Sequence, residues 1–145
     1  MKITDKNIFV EAEKGNLDIL KHPSVDKVVD KDEETPLHVL AWQEKIEVLN
    51  HPSVDKVVDN NGETPLHVLA SKGKVQVLDH PSVDKVVDLN GDTPLHVLAS
   101  KGKVPRKWIV EKYPWFELGD RNITVEIVTE ILNTSYAERF ILSQK

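Results

Sequence analysis

The chain of 145 residues contains no cysteine, only 6% aromatic residues and no long hydrophobic run. Without cysteine there is no disulfide framework, no thiolate metal ligand and no cysteine nucleophile, which fits a reducing compartment. No stretch approaches the 18 consecutive apolar residues of a membrane span, and no apolar segment follows the first six residues as in a signal peptide. These absences predict a cytoplasmic protein without membrane contact. Delivery into another cell as an effector stays open.

Positive charge is also scarce over most of the chain. The formal net charge is -5, and residues 1–102 carry 12 Lys and Arg against 18 Asp and Glu, whereas residues 103–145 are near neutral. An acidic surface repels a phosphate backbone. We therefore do not expect a nucleic acid as the partner.

Patterns that carry catalysis are missing as well. The sequence holds no Ser-His-Asp or metalloprotease spacing and no glycine-rich phosphate loop, and Asn61-Gly62 has the pattern of a tight turn. Repeated carboxylates at Asp26, Asp55 and Asp84 are interpreted as a solvated face rather than an acid/base pair. We expect no enzymatic activity and no cofactor.

What the sequence does contain is a repeat of 29 residues. The run His-Pro-Ser-Val-Asp-Lys-Val-Val-Asp begins at His22, His51 and His80, and each copy is followed by Thr-Pro-Leu-His-Val-Leu-Ala. A fixed period of this size indicates stacked supersecondary units, each of which buries its apolar face against its neighbours.

Each unit has signals for a helix, a shorter helix and a projecting turn. In the second copy Thr64 is a predicted helix N-cap and Pro65 the first helical residue. Gly73 ends that helix in a left-handed conformation. A short apolar segment follows and stops at His80-Pro81, because proline disfavours a helical residue before it.

Thr-Pro-Leu-His, the following alanine, the closing glycine and the Asp-x-x-Gly-x-Thr turn resemble the ankyrin repeat. That family has a period of about 33 residues, so the outer helix here has lost about one turn. A leucine-rich repeat is set aside, because its leucine pattern is missing. The resemblance implies an all-helical, ankyrin-like helix-turn-helix solenoid with β-turn or hairpin loops, helical terminal caps and a concave binding face.

The predicted boundaries follow the repeat. Residues 1–104 contain a cap unit at about 5–33 and repeats starting near 34, 63 and 92, and residues 105–145 form a helical C-terminal cap. Within this cap, residues 105–113 are predicted as a full-length outer helix. The cap also has a helical stripe and a closing helix, with apolar positions at Ile123, Ile127, Val128, Ile131, Tyr136, Phe140 and Ile141. In the cap unit Glu11 stands where Leu69 stands in a repeat, which predicts a more polar exterior.

The Thr-Pro-Leu-His histidines, His38, His67 and His96, recur at one position of each unit. Stacked helices lie about 8–10 Å apart, too far for one metal ion to bind equivalent imidazoles at about 2 Å. No metal site is therefore predicted. As in the ankyrin family, these imidazoles are expected to hydrogen-bond neighbouring backbone and to tie one turn to the next.

Differences between the copies cluster in the turns and at the ends of the first helices. Only two of 25 positions differ between residues 51–75 and 80–104, and seven differ between residues 22–46 and 51–75. In the ankyrin family these positions form the concave face. Divergence for binding and drift at exposed positions are weighed evenly. The predicted partner-binding residues, which we call the turn face, are Lys31, Asp32, Glu34, Trp42, Gln43, Asn60, Asn61, Glu63, Ser71, Lys72, Leu89, Asn90, Asp92, Ser100 and Lys101.

The first full repeat departs most from its sisters. Trp42 replaces a serine, which favours binding because tryptophan is enriched in interface hot spots; packing over the neighbouring turn is the alternative. Glu33 and Glu44 stand at the positions of Gly62 and Gly73. Each costs about 1 kcal/mol if the left-handed conformation is kept.

The sequence thus predicts a non-enzymatic scaffold that binds a protein partner through the turn face, as a monomer. The alternative is a structural module that self-associates or contacts another domain through the aromatic cap residues Trp108, Tyr113, Trp115 and Phe116. A well-filled cap core is the simpler explanation of these aromatic residues and is preferred over self-association.

Overall fold

The computed structural model describes residues 2–143, with side chains up to Thr134. The described part of the chain is helical and contains no strand, which confirms the all-α prediction. The α-helices are α1 (Ile8–Glu13), α2 (Pro36–Trp42), α3 (Pro65–Ser71), α4 (Pro94–Ser100), α5 (Arg106–Lys112) and α6 (Val125–Ser143). Three 3₁₀ helices follow α1, α2 and α3: η1 (Leu17–Lys21), η2 (Ile46–Asn50) and η3 (Val75–Asp79).

Helices α2, α3 and α4 begin in the same way, at a proline preceded by an extended threonine. In α3 the Thr64 hydroxyl accepts the backbone N–H of His67, and the His67 ring in turn accepts the backbone N–H of Thr64 at 3.0 Å. This reciprocal capping box satisfies two backbone donors that a helix start leaves unpaired. The predicted helix start is confirmed.

In the first three units the second segment is a five-residue 3₁₀ helix rather than a shortened α-helix. A 3₁₀ helix rises faster per residue and suits short connections. Each one ends at a histidine in extended conformation, before proline, as predicted. The ring Nδ1 of His51 then accepts the backbone N–H of Ser53 at 3.0 Å.

The α-helices pack in chain order: α1 on α2, α2 on α3, α3 on α4, and α4 on α6. Leucines from α2, α3 and α4 are fully buried, among them Leu40, Leu66, Leu69 and Leu98. Val54 and Val83, from the segments after the 3₁₀ helices, are buried in the same core. The result is one continuous, thin hydrophobic core that runs along the row of helices.

The C-terminal part closes the row. Helix α5 has seven residues, and α6 covers α4 with Ile127, Val128 and Ile131, which are all buried. Ile123 precedes α6 and is half-buried. The predicted closing helix is the second half of α6; the side chains of its positions Tyr136, Phe140 and Ile141 lie outside the described residues.

The expected polar exterior of the first unit is wrong at Glu11, which is buried on α1 beside Ile8 and Ala12. Its carboxylate accepts a hydrogen bond from the Asn16 amide at 3.0 Å and one from the Lys14 ammonium at 3.4 Å. A buried carboxylate needs such partners to offset its lost hydration. The buried carboxylate of Glu11 thus finds both hydrogen-bond donors within its own unit.

Glu33 and Glu44 keep the left-handed conformation of the glycines they replace, with φ of 62° and 63°. Gly62 and Gly73 both have φ of 73° at the equivalent positions. The carboxylate of Glu44 pairs with Lys74 of the next unit at 3.0 Å. Glu33 takes part in no ion pair among the described residues, so its strain is the less compensated of the two.

Glycine at either position removes the left-handed penalty of a side chain, so we expect Glu33→Gly to stabilise the fold by about 1 kcal/mol. Glu44→Gly should gain less, because it also loses the exposed ion pair with Lys74. Urea unfolding of the two variants measures this order. Equal gains, or a loss at position 33, would contradict it.

Candidate functional site

The turns are built around one aspartate in each unit. In the second repeat Asp59 Oδ1 accepts the backbone N–H groups of Asn61 and Glu63, both at 2.9 Å, and the backbone N–H of Asp59 donates to the Glu63 carbonyl at 3.0 Å. Asp30 and Asp88 make the same bonds in their own turns. A side chain that closes its own turn keeps the tip in one conformation.

Successive turns are joined by backbone hydrogen bonds. The N–H of Asn60 donates to the Asp32 carbonyl at 3.1 Å, and the N–H of Leu89 donates to the Asn61 carbonyl at 3.0 Å. These bonds set the three turns side by side. The turn face is therefore a row with a fixed spacing rather than a set of independent loops.

The Thr-Pro-Leu-His imidazoles also join adjacent units. Because Nδ1 of His67 accepts the Thr64 N–H, the proton lies on Nε2, which donates to the Asp92 carbonyl at 2.8 Å. His38 reaches the Glu63 carbonyl at the same distance, and His96 donates to Thr129 Oγ1 of α6 at 3.0 Å. The expected tie between turns is confirmed for His38 and His67. It is wrong for His96, which bonds a side chain of α6 because no further turn follows the third one.

Burial lowers the pKa of all three imidazoles below the ordinary histidine value. Desolvation disfavours the charged ring; nearby carboxylates, and at His38 and His67 also the carbonyl partners, only partly oppose that effect. A neutral ring also suits Nδ1, which can accept a hydrogen bond only when it carries no proton. The folded state therefore selects neutral histidine at the junctions.

The turn face is mostly accessible. Eleven of its residues are exposed, and Glu34, Glu63, Ser71 and Asp92 are half-buried. Seven residues line an open cleft of about 250 Å³ between the first two turns, which we call the Trp42 cleft. They are Asp32, Glu34, Trp42, Asp59, Asn60, Asn61 and Glu63.

The remaining turn-face residues lie outside this cleft. Asn90 and Asp92 line a second cleft, of about 430 Å³, against Thr129 of α6. Lys31, Gln43, Ser71, Lys72, Leu89, Ser100 and Lys101 line neither of the two clefts. The structure therefore brings the first two turns together around Trp42 and sets the third turn against the C-terminal cap.

Trp42 is 41% exposed and contacts both its own turn and the next unit. Its indole N–H donates to Glu34 at 2.6 Å, and the Lys72 ammonium lies 5.3 Å from the centroid of the ring. Both alternatives for this residue thus have support: it packs against the neighbouring unit and still presents surface.

The carboxylates of the cleft are electrostatically crowded. Burial raises the pKa of Glu34, and Asp30, Asp59 and Asp32 add to the rise by repulsion. Burial likewise raises the pKa of Glu63, again with repulsion from neighbouring carboxylates. Asp30, Asp32 and Glu34 also bring carboxylate oxygens within 4.8 Å of one another, a spacing that fits a cation.

A ladder of serine and aspartate residues was missed by the sequence reasoning. Ser53 Oγ donates to Asp26 at 2.6 Å and Ser82 Oγ to Asp55 at 2.7 Å, each across a unit boundary. These bonds lower the pKa of both carboxyls. The interpretation of Asp26, Asp55 and Asp84 as a solvated face is therefore wrong. The invariance of serine and aspartate in all three copies was the available signal.

Asp84 has no serine from a following unit to bond, and a tyrosine of the C-terminal cap takes that role. Tyr113 donates its hydroxyl to Asp84 at 2.7 Å and is buried. Around it Trp108, Trp115 and Phe116 make a chain of edge-to-face ring contacts with centroids 5.8 to 6.1 Å apart. Trp108 and Phe116 are half-buried, which fits a cap core, whereas Trp115 is exposed.

The shortened second segments leave an outer groove of about 520 Å³ between η2 and η3. Ile46, Leu49, Gln76 and His80 are among its lining residues. None of the turn-face residues lines it, so it is a separate feature of the surface.

No protein-family model matches the chain, and no curated protein matches it either. None of the helices in the described part of the chain is both long and apolar enough to cross a membrane.

Because the folded state binds fewer protons at its buried histidines, stability should fall as the pH drops through about 6.5, the unfolded value. Replacing one of them, with His67→Gln, should make the decline between about pH 7 and pH 5.5 shallower by up to about 1.4 kcal/mol per pH unit. Urea unfolding at several pH values measures the slope.

Val68→Ala is the matched control, because it removes buried volume from the same helix without changing a titrating group. Its pH dependence should stay that of the wild type. Glu34 and Glu63 act in the opposite direction, since their raised pKa favours proton uptake in the folded state. These two glutamates are present in every variant, so the difference in pH slope between His67→Gln and Val68→Ala reports on His67 alone. Identical slopes in all three proteins would refute the account.

Proposed function

We propose that residues 1–104 form an ankyrin-like solenoid of 29-residue repeats, capped by residues 105–145. Packing of α1 to α4 in chain order supports this architecture. So do the bonds from His38 and His67 to the following turn, which repeat with the period of the sequence. In such a row each unit is stabilised mainly by its neighbours.

Its function is to bind a protein partner through the turn face, without catalysis. One observation carries this proposal: backbone bonds hold the turns in register while Trp42 and Leu89 stand 41% and 77% exposed on them. Large apolar side chains on a rigid frame lose little conformational entropy on docking. Tryptophan in particular is enriched among residues that dominate interface energy.

The partner is a protein rather than a nucleic acid, since residues 1–102 carry 18 acidic against 12 basic side chains.

The repeat protein itself acts as a monomer in the cytoplasm and needs no cofactor. The acidic residues that close the turns, Asp30, Asp59 and Asp88, give the backbone its shape. Because these carboxylates already accept backbone hydrogen bonds, they support binding by the turns rather than acid/base catalysis.

Capture of partners from extract of the native cell tests the proposal. The double variant Trp42→Ala/Leu89→Ala should weaken retention of a specific partner by about tenfold or more, because it removes both exposed apolar side chains of the face. Quantitative mass spectrometry of the captured proteins gives the measurement. Partner retention that is unaffected by the double variant would sink the proposal.

Trp115→Ala is the matched control, because Trp115 is 40% exposed, close to the 41% of Trp42, but lies in the cap. It should leave the same partner bound. Circular dichroism of each variant separates lost binding from lost folding.

Self-association through the cap is the second candidate. The exposed Trp115 and the 53% exposed Val110 favour it, because both are large apolar side chains on the end of the row. Trp115 belongs to the chain of ring contacts with Trp108, Tyr113 and Phe116. Two caps that met would bury these surfaces together.

Sedimentation velocity over a range of concentrations distinguishes the two functions. A monomer at every concentration is the result expected for the turn-face scaffold. A concentration-dependent dimer that Trp115→Ala abolishes and Trp42→Ala preserves would favour the cap instead.

A further inference from the structure

The Trp42 cleft combines an exposed aromatic wall with carboxylates. Trp42 forms one side, and Asp32, Glu34 and Glu63 are among its acidic lining residues. Asp59 also lines the cleft, but it is buried and accepts two backbone N–H groups of its own turn. The two half-buried glutamates and Asp32 therefore supply the available negative charge.

Charge in this cleft is incompletely compensated. The salt bridges among the described residues include neither Glu34 nor Glu63. Glu34 is stabilised by the indole N–H of Trp42, a neutral donor. Repulsion among the surrounding carboxylates acts on both glutamates. An added cation would relieve this repulsion.

A cation already lies at the aromatic wall. The ammonium of Lys72, from the following unit, is 5.3 Å from the indole centroid, within the range of a cation–π contact. Lys72 is exposed and reaches the ring from the end of α3. The electron-rich face of the indole therefore attracts positive charge in the free protein, which is an observation independent of the carboxylates.

We propose that the Trp42 cleft receives an arginine side chain from a basic segment of the protein partner. A guanidinium is planar, stacks on an indole and donates to carboxylates from its edge, so it can use Trp42 together with Glu34 or Glu63. This inference rests on the proposed function and specifies the chemistry of the partner.

Of the three repeats, only the first has this tryptophan. Ser71 and Ser100 stand at the position of Trp42, and each hydroxyl bonds back to its own helix, to the carbonyls of Val68 and Val97 at 2.6 Å. Leu89 takes the place of Asn60 in the third turn and presents apolar surface instead. A basic segment of the partner therefore binds in one alignment, with its arginine in the Trp42 cleft of the first repeat.

Lys72 acts as an internal competitor for the ring. It must move aside when a guanidinium stacks on Trp42, and its charge opposes that of the incoming arginine. Lys72→Gln should therefore tighten arginine binding rather than weaken it. This direction is opposite to that expected for a lysine that contributes to a partner contact.

Nuclear magnetic resonance of the indole N–H groups tests the proposal with the full chain. The probe is a Gly/Ser peptide that contains three arginines, and its control is the same peptide with citrulline, which has the same shape without the charge. The arginine peptide should shift the Trp42 indole signal and leave those of Trp108 and Trp115 in place. High salt should weaken the effect.

Substitutions locate the site. Trp42→Phe assigns the indole signal, and Trp42→Ala should weaken peptide binding by about fivefold or more, followed through backbone amide signals. Glu63→Gln should also weaken it. Glu47→Gln, an equal charge change in the outer groove, should have little effect.

Three results would overturn the proposal: no shift of the Trp42 indole, an equal shift with citrulline, or equal weakening by Glu63→Gln and Glu47→Gln. The last would indicate general attraction to an acidic protein. None of these results bears on the proposed scaffold function, which is tested by partner retention in the Trp42→Ala/Leu89→Ala variant and by sedimentation velocity. The two failures are therefore distinguishable.

Discussion

The turn row depends on two sets of hydrogen bonds: those that His38 and His67 donate to the next turn, and the backbone bonds between successive turns. His67 accepts from the cap of its own helix and donates to the following turn, so one buried ring joins two units. Losing either partner would leave a buried polar group unsatisfied, which costs more than a surface hydrogen bond. The same bond requires a neutral ring, which links the alignment of the turns to the protonation of His38 and His67.

Within each copy, the residues that form the junctions between units are constant, whereas residues on the exposed surface vary. Residues that form junctions, such as Ser53, Asp26 and His38, recur in all three copies of the repeated sequence, and each of these three bonds a residue of the neighbouring unit. Positions 31, 60 and 89 have no such partner for their side chains and carry lysine, asparagine and leucine. Variation thus accumulates where it alters the surface without disturbing the frame.

The first full repeat combines strain with its unusual surface. Glu33 and Glu44 are held left-handed without glycine, and the only tryptophan of the repeats lies in the same unit. Contacts of Glu44 with Lys74 and of Trp42 with Lys72 both reach into the next unit. These contacts offset part of the local cost and place basic side chains of the second repeat beside the end of α2.

Sequence alone determined the helical class and the residues at which the repeated helices start and stop. It also indicated that the Thr-Pro-Leu-His histidine bonds near its own helix start. Caps, prolines and left-handed positions act within a few residues, so a local pattern is enough to predict them. The set of candidate surface residues also came from the differences between copies. Tertiary structure decided that Asp26 bonds Ser53, that Tyr113 substitutes for serine at Asp84, that Glu11 is buried and that Trp42 meets Lys72. Each of these pairs residues from different turns, helices or units, or depends on the depth at which packing places a side chain, and a local pattern does not encode such distances.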